Sequence, residues 1–154
     1  MSGKPVEVFF SYAHEDEALR DQMANHLANL NNQGIIDKWH DRKIPPGNEW
    51  AGQIETRLNS AEIILLLISS DFMASPYCYT IEMTRAVERH DRGEARVIPV
   101  ILRPCDWDGA PFSKLQALPK DALPVTRWAD RDEAFLNVVT GIKAAIAELK
   151  AGPR

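Results

Sequence analysis

Residues 62–69 read EIILLLIS, six aliphatic side chains in a row between a glutamate and a serine. A strand with one wet face alternates apolar and polar residues, whereas this run contains no polar member. Both faces of such a strand are covered, as in a parallel sheet with helices on either side. The run is also far too short to span a bilayer. The fold class of the chain follows from whether the flanking segments supply further strands and the helices to cover them.

They do so in alternation. VEVFFSY (6–12) is a β-branched and aromatic run ending in polar residues, as a buried strand does. The segment that follows places Leu19, Met23, Leu27 and Leu30 on one helical stripe, with Gly34 where a C-terminal cap belongs. IIDKW (35–39) is a brief second strand leading into HDRKIPPGN (40–48), a loop marked by two prolines and a glycine. Asn48 can cap a helix carrying Trp50, Ile54 and Leu58. After the 62–69 strand, Ser75 and Pro76 form a cap with proline at the first helical position, opening a helix to about Arg89. RVIPVIL (96–102) predicts a fourth strand, in which Pro99 requires an edge or a bulge. ALPVT (122–126) offers a short fifth strand. Asp130 with Glu133 begins a last helix with Phe135, Val139, Ile142, Ile146 and Leu149 inward. Alternating strands and helices define an α/β, doubly wound domain.

The 154 residues suit one compact domain, and 45% apolar with 26% charged residues is the composition of a globular chain. A net charge of -4 argues against a nucleic-acid binder, which needs a basic face. No secretory or membrane-spanning pattern is present, so membrane association is not expected. Cys78 and Cys105 lie 27 residues apart, without the spacing of a zinc site or a disulfide scaffold. These features favour a cytoplasmic protein with reduced thiols. His14, His26, His40 and His90 are scattered among polar residues and predict no metal site.

In an open parallel sheet, ligands collect beyond the carboxyl ends of the strands, where the strand order reverses. Three segments fall there: SYAHEDE (11–17), HDRKIPPGN, and SSDFMASPYCYTIE (69–82). The first lacks a dinucleotide-binding glycine fingerprint, and the chain has neither a phosphate loop nor a Gly-x-Ser-x-Gly elbow. The first and third strand ends also lack the acidic residues of a phosphoacceptor receiver domain. On regular helical geometry Cys78, Tyr79 and Glu82 share one face. Glu82 then either joins a site or pairs with Arg85 or Arg89 on a wet surface, and Cys78 is either a nucleophile or small core packing.

With these segments in order, the chain resembles a bacterial Toll/interleukin-1 receptor (TIR) domain over nearly its whole length. The resemblance is carried by VFFSYAHEDE, DKWHDRKIPPGNEW, AEIILLLISSDFMASPYCYTIE, and RVIPVIL with the later CDW. It implies a flavodoxin-like three-layer sandwich with a five-stranded parallel sheet, with residues 1–150 as the TIR domain and 151–154 as a polar tail that starts a linker. It further implies cleavage of NAD+ at the nicotinamide-ribose bond, as glycohydrolase or cyclase, activated by self-association in a bacterial defence effector. The alternative within the family is a non-catalytic assembly or signalling module. NAD+ is then a substrate, with no separate cofactor, and the partners are other TIR domains and a regulatory domain in the same or another chain.

The resemblance puts the catalytic carboxylate at Glu82. The family often writes this motif Trp-Cys-x-x-Glu, whereas here it reads Tyr-Cys-Tyr-Thr-Ile-Glu, with one more residue between cysteine and glutamate. One carboxylate suffices in principle. Glycosidases that expel a poor alkoxide need a second carboxyl group as acid. Nicotinamide leaves NAD+ as a neutral base, so a single anion facing the ribose can stabilise the positive charge that develops there. Cys78 and Tyr79 are the expected neighbours of Glu82. Phe10 and Ser11 line the base or ribose side, or else serve as core and turn residues. Trp39 and Asp41 flank the second loop as a stacking ring and an ordering acid, or as core and solvated residues. Arg42 and Lys43 meet the pyrophosphate, or are solvated.

Overall fold

The computed structural model describes residues 4–39 and 50–151, with the backbone alone at residues 38, 39, 50, 51 and 53. Among these residues, β1 (Val6–Ser11), β2 (Ile36–Trp39), β3 (Ile63–Ile68) and β4 (Arg96–Ile101) form one parallel sheet in the order β2-β1-β3-β4. Every residue of β3 is buried, as its unbroken apolar run requires. The sheet divides two apolar clusters. One packs alternate β1 residues, among them Val8 and Phe10, against α1 (Glu17–His26) and α6 (Arg131–Ala151). The other packs Phe9, Ile64 and Leu66 against α3 (Trp50–Ser60) and α5 (Met83–Asp91). This is the α/β class with helices on both faces, in the flavodoxin-like order.

Several local expectations hold in detail. Gly34 takes φ +73 after α2 (Ala28–Asn32), and the N–H of Ile35 closes on the Leu30 carbonyl. Asp130 Oδ1 accepts from the N–H of Asp132 at 2.8 Å and of Glu133 at 3.4 Å, capping α6. Phe135, Val139, Ile142 and Ile146 are buried along that helix, with Leu149 partly so.

The fifth strand is a correction. The 122–126 segment forms 3-10 turns at Lys120–Ala122 and Val125–Arg127, and the only trace of a fifth strand among the described residues is a parallel bridge from Leu118 to Val100. Leu118 exchanges both backbone hydrogen bonds with β4, its N–H to Pro99 and its carbonyl to Ile101. Pro99 has no N–H to offer a further carbonyl on that side, and the Lys120 N–H, next in the ladder, goes instead to Asn137 Oδ1 at 2.7 Å, so pairing stops after one residue. The same bonds place Pro99 on the outer side of β4, where its missing donor leaves the β3 pairing intact. The Asn48 cap and residues 152–154 lie outside the described residues.

Candidate functional site

β1 and β3 are adjacent, while the chain leaves β1 for β2 on one side and reaches β3 on the other. Beyond their carboxyl ends lies the reversal point at which α/β sheets hold ligands. A cavity of about 510 Å³ opens there. Its walls come from the end of β1 and the following turn (Phe10, Tyr12, His14), from Ile54 of α3, and from the segment Asp71 to Glu82.

The sequence folds this way locally because two serines cap two successive turns. Ser69 Oγ accepts from the Phe72 N–H at 3.1 Å and starts α4 (Ser70–Ala74). Ser75 Oγ accepts from the Cys78 N–H at 3.2 Å and starts the next turn, with Pro76 in first position. Residues Pro76–Glu82 then form a π-turn, closed by the Met83 N–H on the Cys78 carbonyl five residues back. A π-turn absorbs one residue more than an α-turn. The wider turn brings residues five apart, Tyr77 and Glu82, to the same side. Tyr77, Cys78 and Glu82 therefore line the cavity. Tyr79, expected beside them on regular helical geometry, is not among the residues that line the cavity, although like Tyr77 it is partly buried against the α3 and α5 cluster. The extra residue between Cys78 and Glu82 is the sequence signal that marks this difference.

Glu82 is only 5% exposed, so it is no solvated surface residue. Ser11 Oγ, fully buried at the end of β1, donates to Glu82 Oε1 at 2.6 Å. A buried carboxylate needs such donors, because an isolated charge away from water is strongly unfavourable. The helix arginines are engaged elsewhere. Arg85 meets Asn59 Oδ1 at 2.7 Å and Glu88, and Arg89 donates to the Leu58 and Ala61 carbonyls at the end of α3.

The charge on Glu82 is felt by its neighbours. Burial first, and then Glu82, push the Tyr77 hydroxyl up to about 12. Burial chiefly, with Glu82 adding to it, pushes the Cys78 thiol up to about 11, and that thiol donates to the Tyr12 carbonyl at 3.3 Å. A protonated, buried thiol is a poor nucleophile, so Cys78 acts here as packing and as a strap between the π-turn and β1.

A second polar cluster braces the rim. Asp16, buried in the turn after β1, accepts a short hydrogen bond from Ser69 Oγ and pairs with Arg103 Nε at 2.8 Å. Arg103 Nη2 also holds Asp71 at 2.6 Å. The carboxylate of Asp71, which lines the cavity, is thus matched by an arginine from just beyond β4. Sequence reading passed over this trio, along with Tyr12 and Tyr77, because its members are 16, 71 and 103 in the chain and no spacing links them.

Of the expected site residues, Phe10, Cys78 and Glu82 line the cavity, and Ser11 lies behind it in contact with Glu82. The backbone of Trp39 pairs with Phe9 at the end of β2, on the same edge of the sheet. Its side chain, and all of Asp41, Arg42 and Lys43, lie outside the described residues. No group of three or more metal-ligating side chains occurs among the described residues.

The profile of the TIR domain family matches residues 8–137. The chain belongs to the TIR domain family. It is 56% identical over 138 residues to the uncharacterized protein y4lF of Sinorhizobium fredii, covering 90% of this chain and 43% of that one. It is 31% identical over 119 residues to Toll-like receptor 4 of Pinctada imbricata, covering 74% of this chain and 13% of the receptor. The TIR domain thus spans less than half the length of either relative. Among solved structures, the TIR domain of the Toll-related receptor TRR-2 from Hydra magnipapillata superposes with a TM-score of 0.60 at 23% identity, over 88% of this chain and 97% of that one. The TIR domains of the activated Roq1 resistosome superpose at 0.50 and 24% identity, over 62% and 56%. Both share the fold. No helix among the described residues is long and apolar enough to cross a membrane.

Proposed function

We propose that this TIR domain cleaves NAD+ at the nicotinamide-ribose bond, as a glycohydrolase or cyclase whose turnover depends on self-association, in a bacterial defence effector. The observation that carries the reading is Glu82: a carboxylate out of bulk water, held by Ser11, on the wall of a cavity with aromatic sides at the reversal point of the sheet. When the pyridinium ring departs, its electron deficit passes to the ribose, and an anion already in place stabilises that charge without solvent rearrangement. Nicotinamide leaves as a neutral base and needs no proton from the protein. Phe10, Tyr12 and Tyr77 supply flat apolar surface for the rings. Arg42 and Lys43 are the residues assigned to the pyrophosphate, Trp39 to stacking on a flat base and Asp41 to ordering their loop.

The second reading is a TIR assembly module without turnover, supported by the likeness to a Toll-like receptor. One experiment separates the two. Protein at high concentration, and protein clustered on a multivalent carrier, is incubated with NAD+ and free nicotinamide is followed. The enzyme reading expects release by the wild type and near-complete loss in Glu82→Ala, with the circular dichroism of the two proteins alike. Equal release from both removes Glu82 from the mechanism. No release from either, even when clustered, leaves the assembly module.

A further inference from the structure

Arg20, on α1, is fully buried, and among the described residues none of its three guanidinium nitrogens finds a hydrogen-bond partner. Nη2 lies 2.9 Å from the half-exposed carboxylate of Asp21, close enough for an ion pair but not aligned as a hydrogen bond. A charge this deep normally binds several acceptors, since burying it otherwise is strongly unfavourable. Besides Asp21, two aromatic rings face this one. Its Cζ sits 4.8 Å from the centroid of the Tyr12 ring and 6.0 Å from that of Phe10. Both distances fall within the range in which a cation is held by a ring's face, an attraction that strengthens when water is excluded.

Phe10 and Tyr12 also form the β1 side of the cavity. The backbone between them carries Ser11, the donor to Glu82, and the Tyr12 carbonyl takes the Cys78 thiol. We propose that Arg20 is a positioning residue of the site: its buried guanidinium, lodged against Tyr12 and Phe10 from the α1 side, fixes the aromatic wall that faces the ligand. Arg20 does not line the cavity and touches no reacting atom. It acts by holding the Tyr12 ring in one orientation, so that a flat ligand meets a prepared surface and does not have to order it on binding. A side chain kept for packing alone would be apolar here, because a well-packed hydrophobic residue of similar volume avoids the desolvation of the charge. This deepens the proposed function and rests on it for the identity of the ligand.

The test compares Arg20→Met and Arg20→Lys with the wild type, each carrying 3-fluorotyrosine at position 12. Three quantities are read: the thermal midpoint, the fluorine spectrum of residue 12, and the affinity for ADP-ribose by calorimetry alongside KM and kcat for nicotinamide release. Arg20→Met is expected to melt at or above the wild-type temperature, while its fluorine line shifts and broadens. Its ADP-ribose affinity should fall, and its KM rise, about tenfold, with a smaller change in kcat. Arg20→Lys keeps a cation near the rings and should recover part of the fluorine signal and of the affinity. A fluorine spectrum and a KM like those of the wild type in Arg20→Met overturn the proposal. If Arg20→Met does not fold, Arg20→Lys decides: an unaltered Tyr12 line there overturns it as well. If the wild type neither binds ADP-ribose nor releases nicotinamide, the NAD+ reading fails, and the Tyr12 line in the two variants still decides the role of Arg20.

Discussion

Replacing Glu82 by Gln separates charge from shape. The amide oxygen of the new side chain can still accept the Ser11 hydroxyl now seen at 2.6 Å, so the packing between β1 and the π-turn survives. What disappears is the negative charge. For a ribose centre about 4 Å away in a partly sheltered cavity, unit charges at an effective dielectric of about 20 interact by about 4 kcal/mol. Each 1.36 kcal/mol is about tenfold in rate, so kcat for nicotinamide release should fall about 10³-fold. Stability should move little, by about 1 kcal/mol, because the variant exchanges a desolvated charge for a hydrogen-bonded amide. Single-turnover nicotinamide release measures the first, and urea unfolding the second. A rate within about tenfold of the wild type would refute the electrostatic argument. So would a rate loss accompanied by a drop of several kcal/mol in stability, since the carboxylate would then be structural.

Two further outcomes concern stability. The Cys78 thiol titrates from 9.0 in the free residue up to about 11 when folded, so the folded state keeps its proton longer than the unfolded one. Stability should fall by about 3 kcal/mol as pH rises from about 9 to about 11, and this part of the slope should vanish in Cys78→Ser, whose hydroxyl does not titrate there. Urea unfolding at stepped pH measures it, and identical slopes in the two proteins would show the thiol to be unshifted. A Cβ at Gly141 would lie 2.6 and 2.7 Å from the two methyls of Leu118, whose backbone is tied to β4 by two hydrogen bonds. Gly141→Ala should cost about 1 kcal/mol net, overpacking exceeding the gain in helix propensity, and Leu118→Ala in the same chain should turn the change into a gain. A Gly141→Ala protein as stable as its parent contradicts the contact.

Much of the site was legible because it depends on local patterns. The serine cap at Ser75, the end of β1 at Ser11, and Glu82 within reach of the strand ends all follow from residues close together in the chain. The face on which Glu82 lies was read less well, since an α-helical wheel joins Glu82 to Tyr79 and a π-turn joins it to Tyr77. Hydrogen bonding five residues back cannot be inferred from periodicity over so short a stretch. The fifth strand failed for a related reason: ALPVT has the apolar content of a strand, but donors in and beside it close 3-10 turns locally, the Leu123 N–H on the Lys120 carbonyl and the Arg127 N–H on that of Pro124.

Sequence by itself determined the layers. An unbroken aliphatic strand, helical stripes at three- and four-residue spacing and capping residues at their starts dictate which faces must be covered, because burial of apolar surface drives the fold. Only tertiary structure decided the charges: that Glu82 is sheltered beside Ser11, that Asp16 and Asp71 share Arg103, and that Arg20 ends among aromatic rings. Apolar side chains carry their preference wherever they lie. The environment of a charge is set by what the fold brings against it from distant parts of the chain.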